Sequence, residues 1–212
     1  AFLIIKVRIP DMLATLTTMF IVAGVALSFS SGKIISKNMI MPNGEVAQGE
    51  IPEAFLKIGQ EPVIIIIMAV VVLIAFVLLN YTKHGRYMYV IGGNKEAAEL
   101  AGVQVQKYQM LAYVFSSLLA GIGGIMLASR MGQANPAAGA SYLMEGVAAT
   151  FIGQSFLGSG KANAIGTFVG TLLMASLVNG LVMNSVNYYA MDIVKGIVLG
   201  LALALTYFNK KK

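Results

Sequence analysis

Residues Pro62 to Asn80 have the sequence PVIIIIMAVVVLIAFVLLN, which is apolar and contains no formal charge. At about 1.5 Å of rise per residue, a helix of this length covers about 28 Å, close to the hydrocarbon thickness of a bilayer. Its isoleucine and valine content favours a strand in water, but the length and the lack of polar alternation favour a helix. We therefore predict a transmembrane helix over residues 62–80.

The composition of the whole chain is that of a membrane protein. Hydrophobic residues make up 58% and charged residues 11% of the 212 residues, whereas a soluble domain carries about 25% charged residues. The mean hydropathy is +0.79. The surplus apolar surface must face lipid. The net charge of +6 does not indicate nucleic-acid binding, because the basic residues lie between apolar runs rather than in one patch.

The cysteine and histidine counts exclude several kinds of site. The chain has no cysteine and one histidine, so a disulfide scaffold, a thiol nucleophile and a multi-histidine metal centre are excluded. The sequence therefore predicts no metal site.

Five other segments are candidate membrane segments by the same criteria. They comprise residues 12–29, 109–129, 142–157, 163–183 and 189–208. Residues 142–157 are few and include Glu145, so this segment could span, re-enter or lie among other helices. We predict an all-α, polytopic transmembrane bundle with about six membrane segments in a single domain, residues 1–212.

Basic residues orient these segments, because short cytoplasmic loops accumulate lysine and arginine. The segment 81–108 holds Lys83, Arg86, Lys95 and Lys107, and the chain ends in three lysines, residues 210–212. Both regions are predicted to be cytoplasmic, and the more acidic loop 30–61 is predicted to be external. Arg130 goes against this rule, because it is predicted to fall in an external loop.

The first residues are predicted to be the end of a helix whose beginning is missing. Residues 1–5 are apolar and do not begin with a methionine or with the charged start of a signal peptide. We expect the chain to be truncated at its N-terminus.

Residues 92–102 predict a short, capped cytoplasmic helix. Gly92 and Gly93 interrupt the preceding segment, Asn94 is a favourable N-cap, and Gly102 is a natural C′ residue. Glu96 favours the first turn. A helix of about two turns is unstable alone in water, so it must dock on something. It is either a capped connector on the membrane surface or a helix inserted into a partner.

The pattern Gly92-Gly93-Asn94-x-Glu96-Ala97-Ala98-x-x-x-Gly102 resembles the EAA-type cytoplasmic loop of bacterial ABC-importer permeases. The version with Gly-Arg-Tyr and Ile-Gly-Gly-Asn is similar to the monosaccharide branch, the ribose, xylose and galactose permeases. The start IPDMLATL at residues 9–16 and the glycine-rich run GQSFLGSG at residues 153–160 are also similar to that branch. The Ile-x-Leu-Pro tail of the importer loop is absent, and Ala112-Tyr113-Val114 stands in its place.

The resemblance implies a multi-pass permease subunit of the bacterial inner membrane, with a cytoplasmic C-terminus and no enzymatic activity of its own. It implies docking of a separate ATPase subunit on the loop, through Gly92, Gly93, Asn94, Glu96, Ala97, Ala98 and Gly102. ATP and Mg²⁺ would be used by that subunit, and this chain would bind no cofactor. The other implied partners are an external sugar-binding protein, a second permease copy in a homodimer, and the lipid bilayer, but no nucleic acid.

The cargo stays open between a monosaccharide and, on the same scaffold, a nucleoside, an autoinducer or a branched-chain amino acid. An intramembrane enzyme is disfavoured because His84 lies at the predicted cytoplasmic edge rather than beside a serine within the bilayer. A passive channel would not need a docking loop. A phosphate-binding loop at residues 158–162 is rejected, because alanine replaces the required serine or threonine at Ala162.

Some residues within the spans are candidates for packing or transport. Four-residue glycine steps at Gly166 and Gly170, and at Gly196 and Gly200, predict close helix packing. Charged and amide groups in spans are candidates for lining a substrate pathway, and here these are Glu145 and Asn179. For Glu145 the alternative is a structural or interfacial role. Asp192 and Lys195 are three residues apart and are predicted to pair on one helix.

Overall fold

A computed structural model describes residues 2–5, 7, 9–40, 45–46, 49–156 and 161–210. Helices dominate these residues. In chain order the elements are α1 (Phe2–Ile5), α2 (Asp11–Ser30), β1 (Ile35–Ser36), α3 (Glu53–Ile58), α4 (Val63–Tyr81), α5 (Lys83–Gly93), α6 (Lys95–Leu100), α7 (Val105–Met131), β2 (Gln133–Ala134), α8 (Gly139–Phe156), α9 (Ala164–Met183) and α10 (Tyr188–Lys210). The predicted all-α fold class is confirmed.

All six predicted membrane segments are helices in the structure. Among the described residues, 4 helices are long and apolar enough to cross a membrane, namely α2, α4, α7 and α9. The other two, α8 and α10, contain 18 and 23 residues and carry the charged residues Glu145, Asp192 and Lys195. The polytopic architecture is therefore confirmed, and the number of spans remains approximate.

Helix α4 is the clearest membrane segment. It contains 19 residues and none of them is buried against the rest of the chain. A helix with a hydropathy of 3.3 and no buried face would be unstable in water, since its apolar side chains would stay hydrated. The helix therefore needs lipid or other apolar helices around it.

Helix α7 is longer than predicted and changes the position assigned to Arg130. It contains 27 residues, or about 40 Å of helix, which exceeds the hydrocarbon thickness of about 30 Å. Arg130 lies in its last turn and not in the following loop. The helix ends at Gly132, which has a φ of 61°, a left-handed conformation that glycine adopts without steric cost.

The described residues form two compact units, Ala1–Val71 with Thr82–Ala138 and Val72–Tyr81 with Gly139–Lys212. In the first unit, the loop predicted to be external is folded onto the end of α7. The Ser129 hydroxyl donates a hydrogen bond to the Phe55 carbonyl of α3. A Cβ at Gly59 would lie 2.3 Å from the backbone nitrogen of Arg130, so only glycine permits this approach.

The same loop contributes a strand to a small sheet. Strands β1 and β2 pair antiparallel, with Ile35 opposite Ala134 and Ser36 opposite Gln133. Ile40 and Val46 form a further bridge, while residues 41–44 and 47–48 lie outside the described residues. These pairings give the segment after α2 a structural role that the sequence did not predict.

In the second unit, α8 packs against α9 in an antiparallel direction. A Cβ at Gly153 would lie 2.2 Å from the Gly166 carbonyl carbon, and a Cβ at Gly170 would lie 2.1 Å from the Ala149 carbonyl oxygen. From the first contact to the second, the position moves four residues back along α8, from Gly153 to Ala149, and four residues forward along α9, from Gly166 to Gly170. The two helices therefore run in opposite directions. These glycines let the two backbones approach closely.

Helix α10 also packs on α8, and the two run in the same direction. Lys195 contacts Glu145, and Ala202, two turns further along α10, is buried in the same cluster as Ile152, two turns further along α8. The cluster also contains Ala148, Ala149 and Met174. Small side chains thus form the core of this unit, as is common where helices pack within lipid.

Candidate functional site

The segment between α4 and α7 is folded into two capped helices. Thr82 is extended, and its hydroxyl oxygen accepts a hydrogen bond of 3.1 Å from the Gly85 nitrogen at the start of α5. The Asn94 carboxamide oxygen accepts a bond of 3.0 Å from the Ala97 nitrogen at the start of α6. Asn94 is therefore the N-cap that the sequence predicted, and the same signal at Thr82 marks a helix that the sequence analysis missed.

Helix α6 ends in a Schellman motif. The Gly102 nitrogen donates to the Glu99 carbonyl at 3.0 Å, and the Val103 nitrogen donates to the Ala98 carbonyl at 3.0 Å. Gly102 has a φ of 80°. This pattern of hydrogen bonds requires a left-handed residue at C′. The predicted C′ role of Gly102 is thereby confirmed.

One face of α6 is anchored on its own chain. Ala98 is 0% exposed, and Val105 at the start of α7 is 2% exposed. Gly85 of α5 is buried as well. The short helix is therefore ordered by contact with its neighbours, which supplies the docking that its length requires.

The remaining face of α6 is exposed among the described residues. Lys95, Glu96 and Glu99 are exposed, and Leu100 is 91% exposed. Beside the helix lies an open cleft of about 490 Å³, lined by Glu99, Gln104, Val105, Gln106 and Lys107. The capped helix thus presents two carboxylates, one ammonium group and one leucine side chain.

Aromatic rings surround the start of α7. The Tyr108 ring lies 5.8 Å from the His84 ring and 5.0 Å from the Tyr87 ring, measured between centroids. Such tilted arrangements add stabilisation beyond burial alone. The sequence places His84 at the predicted cytoplasmic edge, and in the structure its ring packs on Tyr108 of α7. Burial raises the pKa of the nearby Tyr89 phenol, so this group stays protonated at neutral pH.

Three charged residues of the second unit form a cluster on α8 and α10. The Lys195 ammonium nitrogen lies 2.7 Å from a Glu145 carboxylate oxygen and 3.9 Å from Asp192. The predicted pair on α10 is therefore present, but the shorter contact is to α8. Glu145 and Lys195 are six and seven residues from the starts of their helices, or about 10 Å along each axis.

This contact between helices was not predicted from the sequence. A signal for it was present in the sequence. Every second span of an alternating bundle runs in the same direction, so a carboxylate and an ammonium group at similar distances from the starts of two such spans lie at the same depth in the membrane. Asn179, the other predicted pathway residue, is exposed near the C-terminal end of α9. Since α9 is antiparallel to α8, Asn179 and Glu145 lie towards the same end of the unit.

The four predicted packing glycines fall into two groups. Gly166 and Gly170 are in close contact with α8, whereas added Cβ atoms at Gly196 and Gly200 would meet no described atom within 4 Å. Close packing within the chain is therefore found at the first pair only. Of the rejected phosphate-binding stretch, residues 158–160 lie outside the described residues, as does Leu157.

Comparison with known proteins identifies the family. Residues 1–203 match the family described as branched-chain amino acid transport system / permease component. The chain is 32% identical to the ribose import permease protein RbsC of Escherichia coli K12, an alignment that covers 99% of this chain and 64% of the relative. It is 35% identical to the RbsC protein of Bacillus subtilis, over 96% of this chain and 61% of the relative.

A third relative is the xylose transport system permease protein XylH of Haemophilus influenzae. Identity there is 36%, over 71% of this chain and 40% of the relative. The chain thus spans less than two thirds of the length of these curated relatives. No solved structure matches the chain.

Proposed function

Because this chain belongs to the family of branched-chain amino acid transport system permease components, we propose that it forms the membrane-spanning part of an ATP-driven importer for a monosaccharide. The observation that carries the proposal is the similarity to ribose import permeases along 99% of the chain. The transported sugar is a ribose-like pentose or a hexose. Transport proceeds by alternating access, without covalent chemistry in this chain.

The choice of a sugar as cargo rests on the relatives. Those named for ribose and for xylose match this chain at 32–36% identity. The family description names branched-chain amino acids, so the same scaffold can serve another cargo. A branched-chain amino acid, a nucleoside and an autoinducer are the alternatives, and uptake assays distinguish them.

The segment from Gly92 to Gly102 is proposed as the docking site of the ATPase. Its helix is capped at both ends and anchored through Ala98, while its opposite face is exposed. A rigid helix of this kind transmits a displacement of a bound partner to α5 and α7, on which it packs. ATP and Mg²⁺ are bound and consumed by that partner.

The proposed orientation rests on the distribution of charge. Lys83, Arg86, Lys95 and Lys107 belong to α5, α6 and the start of α7, which favours a cytoplasmic location in the bacterial inner membrane. An even number of crossings then returns the C-terminus to the cytoplasm. The loop that contains α3 faces the outside, where a sugar-binding protein delivers the cargo. A second copy of the permease completes the pathway.

Uptake into proteoliposomes tests this function directly. The full-length permease is reconstituted with its ATPase and binding protein, and accumulation of radiolabelled ribose, xylose and leucine is compared with and without ATP. We expect ATP-dependent accumulation of one of the sugars. Accumulation of leucine alone would reassign the cargo, and uptake of sugar without ATP would contradict the importer.

A variant in the docking segment links uptake to ATP. Replacement of Glu96 with lysine reverses an exposed charge without altering a described contact within the chain. We expect ATP hydrolysis to persist while uptake falls, and membrane insertion to remain intact. Full ATP-driven uptake in this variant and in Gly102→Ala would count against the docking assignment.

A further inference from the structure

The α6 helix exposes a large apolar side chain in polar surroundings. Leu100 is 91% exposed, the highest value among the large apolar side chains of the described residues. Its neighbours Glu96 and Glu99 are exposed and charged. A single exposed leucine on a protein surface is ordinary, but this one lies on a helix that is capped at both ends and is flanked by charged side chains.

The backbone holds Leu100 in a fixed position. The helix begins at the Asn94 cap and closes with the bonds from Gly102 to Glu99 and from Val103 to Ala98, both 3.0 Å. Leu100 lies two residues after the buried Ala98, or about 200° around the helix axis. It therefore points away from the face that anchors α6. A side chain presented in this way loses little backbone freedom on binding.

The charges near Leu100 indicate whether a lipid or a protein covers this side chain. Glu96 lies four residues before Leu100, so the two share one face of the helix. Glu99 directly precedes the leucine, whereas the exposed Lys95 lies about 140° away from it around the helix axis. The face that carries Leu100 is therefore negative, which disfavours contact with the cytoplasmic leaflet because that leaflet has a negative surface potential. An apolar pocket bordered by basic side chains accommodates both the leucine and the carboxylates. Such a pocket belongs to a protein.

We propose that Leu100 is the apolar anchor of this docking site and enters a pocket of the ATPase subunit, with Glu96 and Glu99 paired to basic residues at the pocket rim. This inference rests on the proposed function, because it assumes that the ATPase binds α6. The cleft lined by Glu99, Gln104, Gln106 and Lys107 extends the contact beyond the helix. A few well-packed, desolvated residues carry most of the affinity of a protein interface, whereas charges at the rim set the association rate.

Affinity measurements on the full-length permease in nanodiscs test the anchor. Binding of the purified ATPase subunit is measured for wild type, Leu100→Ser, Leu100→Met and the matched control Val90→Ser. Val90 is an aliphatic residue of the neighbouring helix α5 and is 50% exposed. We expect Leu100→Ser to weaken binding about tenfold or more, and Leu100→Met and Val90→Ser to bind within about twofold of wild type.

The charges at the rim give a second readout. The double variant Glu96→Gln and Glu99→Gln should slow association and flatten its dependence on salt, because it removes the electrostatic attraction between the partners. Leu100→Ser should instead raise the dissociation rate and leave the salt dependence unchanged. A salt dependence identical in wild type and in the double variant would overturn the pairing with a basic rim.

A further variant separates this inference from the proposed function. Replacement of residues 94–102 by a glycine–serine linker should abolish ATPase binding. If the linker abolishes binding and Leu100→Ser binds like wild type, the anchor is wrong and the docking segment stands. If the linker variant binds normally, the docking segment and the anchor are both wrong. Leu100 is almost fully exposed, so a loss of folding is not expected, and monodisperse elution in detergent verifies this.

Discussion

Gly102 shows how a single residue determines a local structure. Its φ of 80° lies in the left-handed region, where a side chain costs about 1–2 kcal/mol. Both hydrogen bonds that close α6 depend on this conformation. The position of the exposed face of α6 therefore depends on Gly102, which adopts this conformation because it has no Cβ.

Gly102→Ala should loosen α6 without unfolding the protein. The strain of about 1 kcal/mol falls on a helix of 6 residues, which has little stability of its own. We expect faster amide hydrogen exchange in residues 95–103 and unchanged exchange in α7. Gly123→Ala in α7 is the control, because an added Cβ there meets no described atom within 4 Å. Equal protection in wild type and Gly102→Ala would contradict the assigned role.

Glu145 and Lys195 are charged residues within otherwise apolar helices. Their side chains are 23% and 14% exposed, and their charged atoms are 2.7 Å apart. Removing one partner of a largely buried pair leaves the other charge poorly solvated, which costs several kcal/mol in full burial and less here because of the remaining exposure. The pair therefore links α8 to α10.

Glu145→Gln should destabilise the second unit by about 1–2 kcal/mol. The physical reason is the loss of the nearest described carboxylate from Lys195. We expect a lower midpoint of thermal unfolding in detergent, and partial recovery in the double variant Glu145→Gln with Lys195→Met. A midpoint unchanged in Glu145→Gln would show that the contact does not stabilise the protein.

These residues also show where inference from the sequence succeeded. The Asn94 cap and the Gly102 stop were predictable, because capping depends on residues within the same turn. The Glu145–Lys195 and Ser129–Phe55 contacts were not predicted, because they join residues distant in the chain. A sequence shows that a buried charge or hydroxyl needs a partner, but the partner depends on how the helices pack.

At the scale of elements, the close approach of α8 and α9 depends on glycine. Gly170 has the Ala149 carbonyl oxygen where its Cβ would lie, whereas Gly200 of α10 has no described atom within 4 Å. The sequence showed the same four-residue spacing at both places. Spacing alone therefore could not distinguish the pair that packs within the chain from the pair that does not.

Gly170→Ala and Gly200→Ala form a matched comparison of this difference. Each adds one methyl group to a helix in the same unit. Gly170→Ala should push α8 and α9 apart, and we expect it to cost about 2 kcal/mol or more, as in other overpacked cores. Gly200→Ala should leave the unfolding midpoint in detergent unchanged or raise it by a few degrees, because alanine favours a helix over glycine by up to about 1 kcal/mol. Equal midpoints in the two variants would contradict the observed packing.

At the scale of the whole molecule, the apolar segments were predictable because length and hydropathy are properties of each segment. The six predicted segments agree with helices α2, α4, α7, α8, α9 and α10. The structured connections were not foreseen, since α5 follows α4 after a single residue and α3 is folded onto α7. Both depend on contacts that a hydropathy pattern does not contain.

The proposed function places α6, as a docking helix, on the cytoplasmic side and α3 outside. The 212 residues contain no cysteine, so one introduced cysteine is a specific probe within them. Lys95→Cys places the probe on α6, and Lys57→Cys places it on α3; both positions are exposed.

A membrane-impermeant maleimide, applied to right-side-out and inverted vesicles, gives the most direct measurement. We expect Lys95→Cys to react only in inverted vesicles and Lys57→Cys only in right-side-out vesicles. If Lys95→Cys reacted from the outside, or if lipid protected it from reaction on both sides, the proposed position of α6 would be wrong.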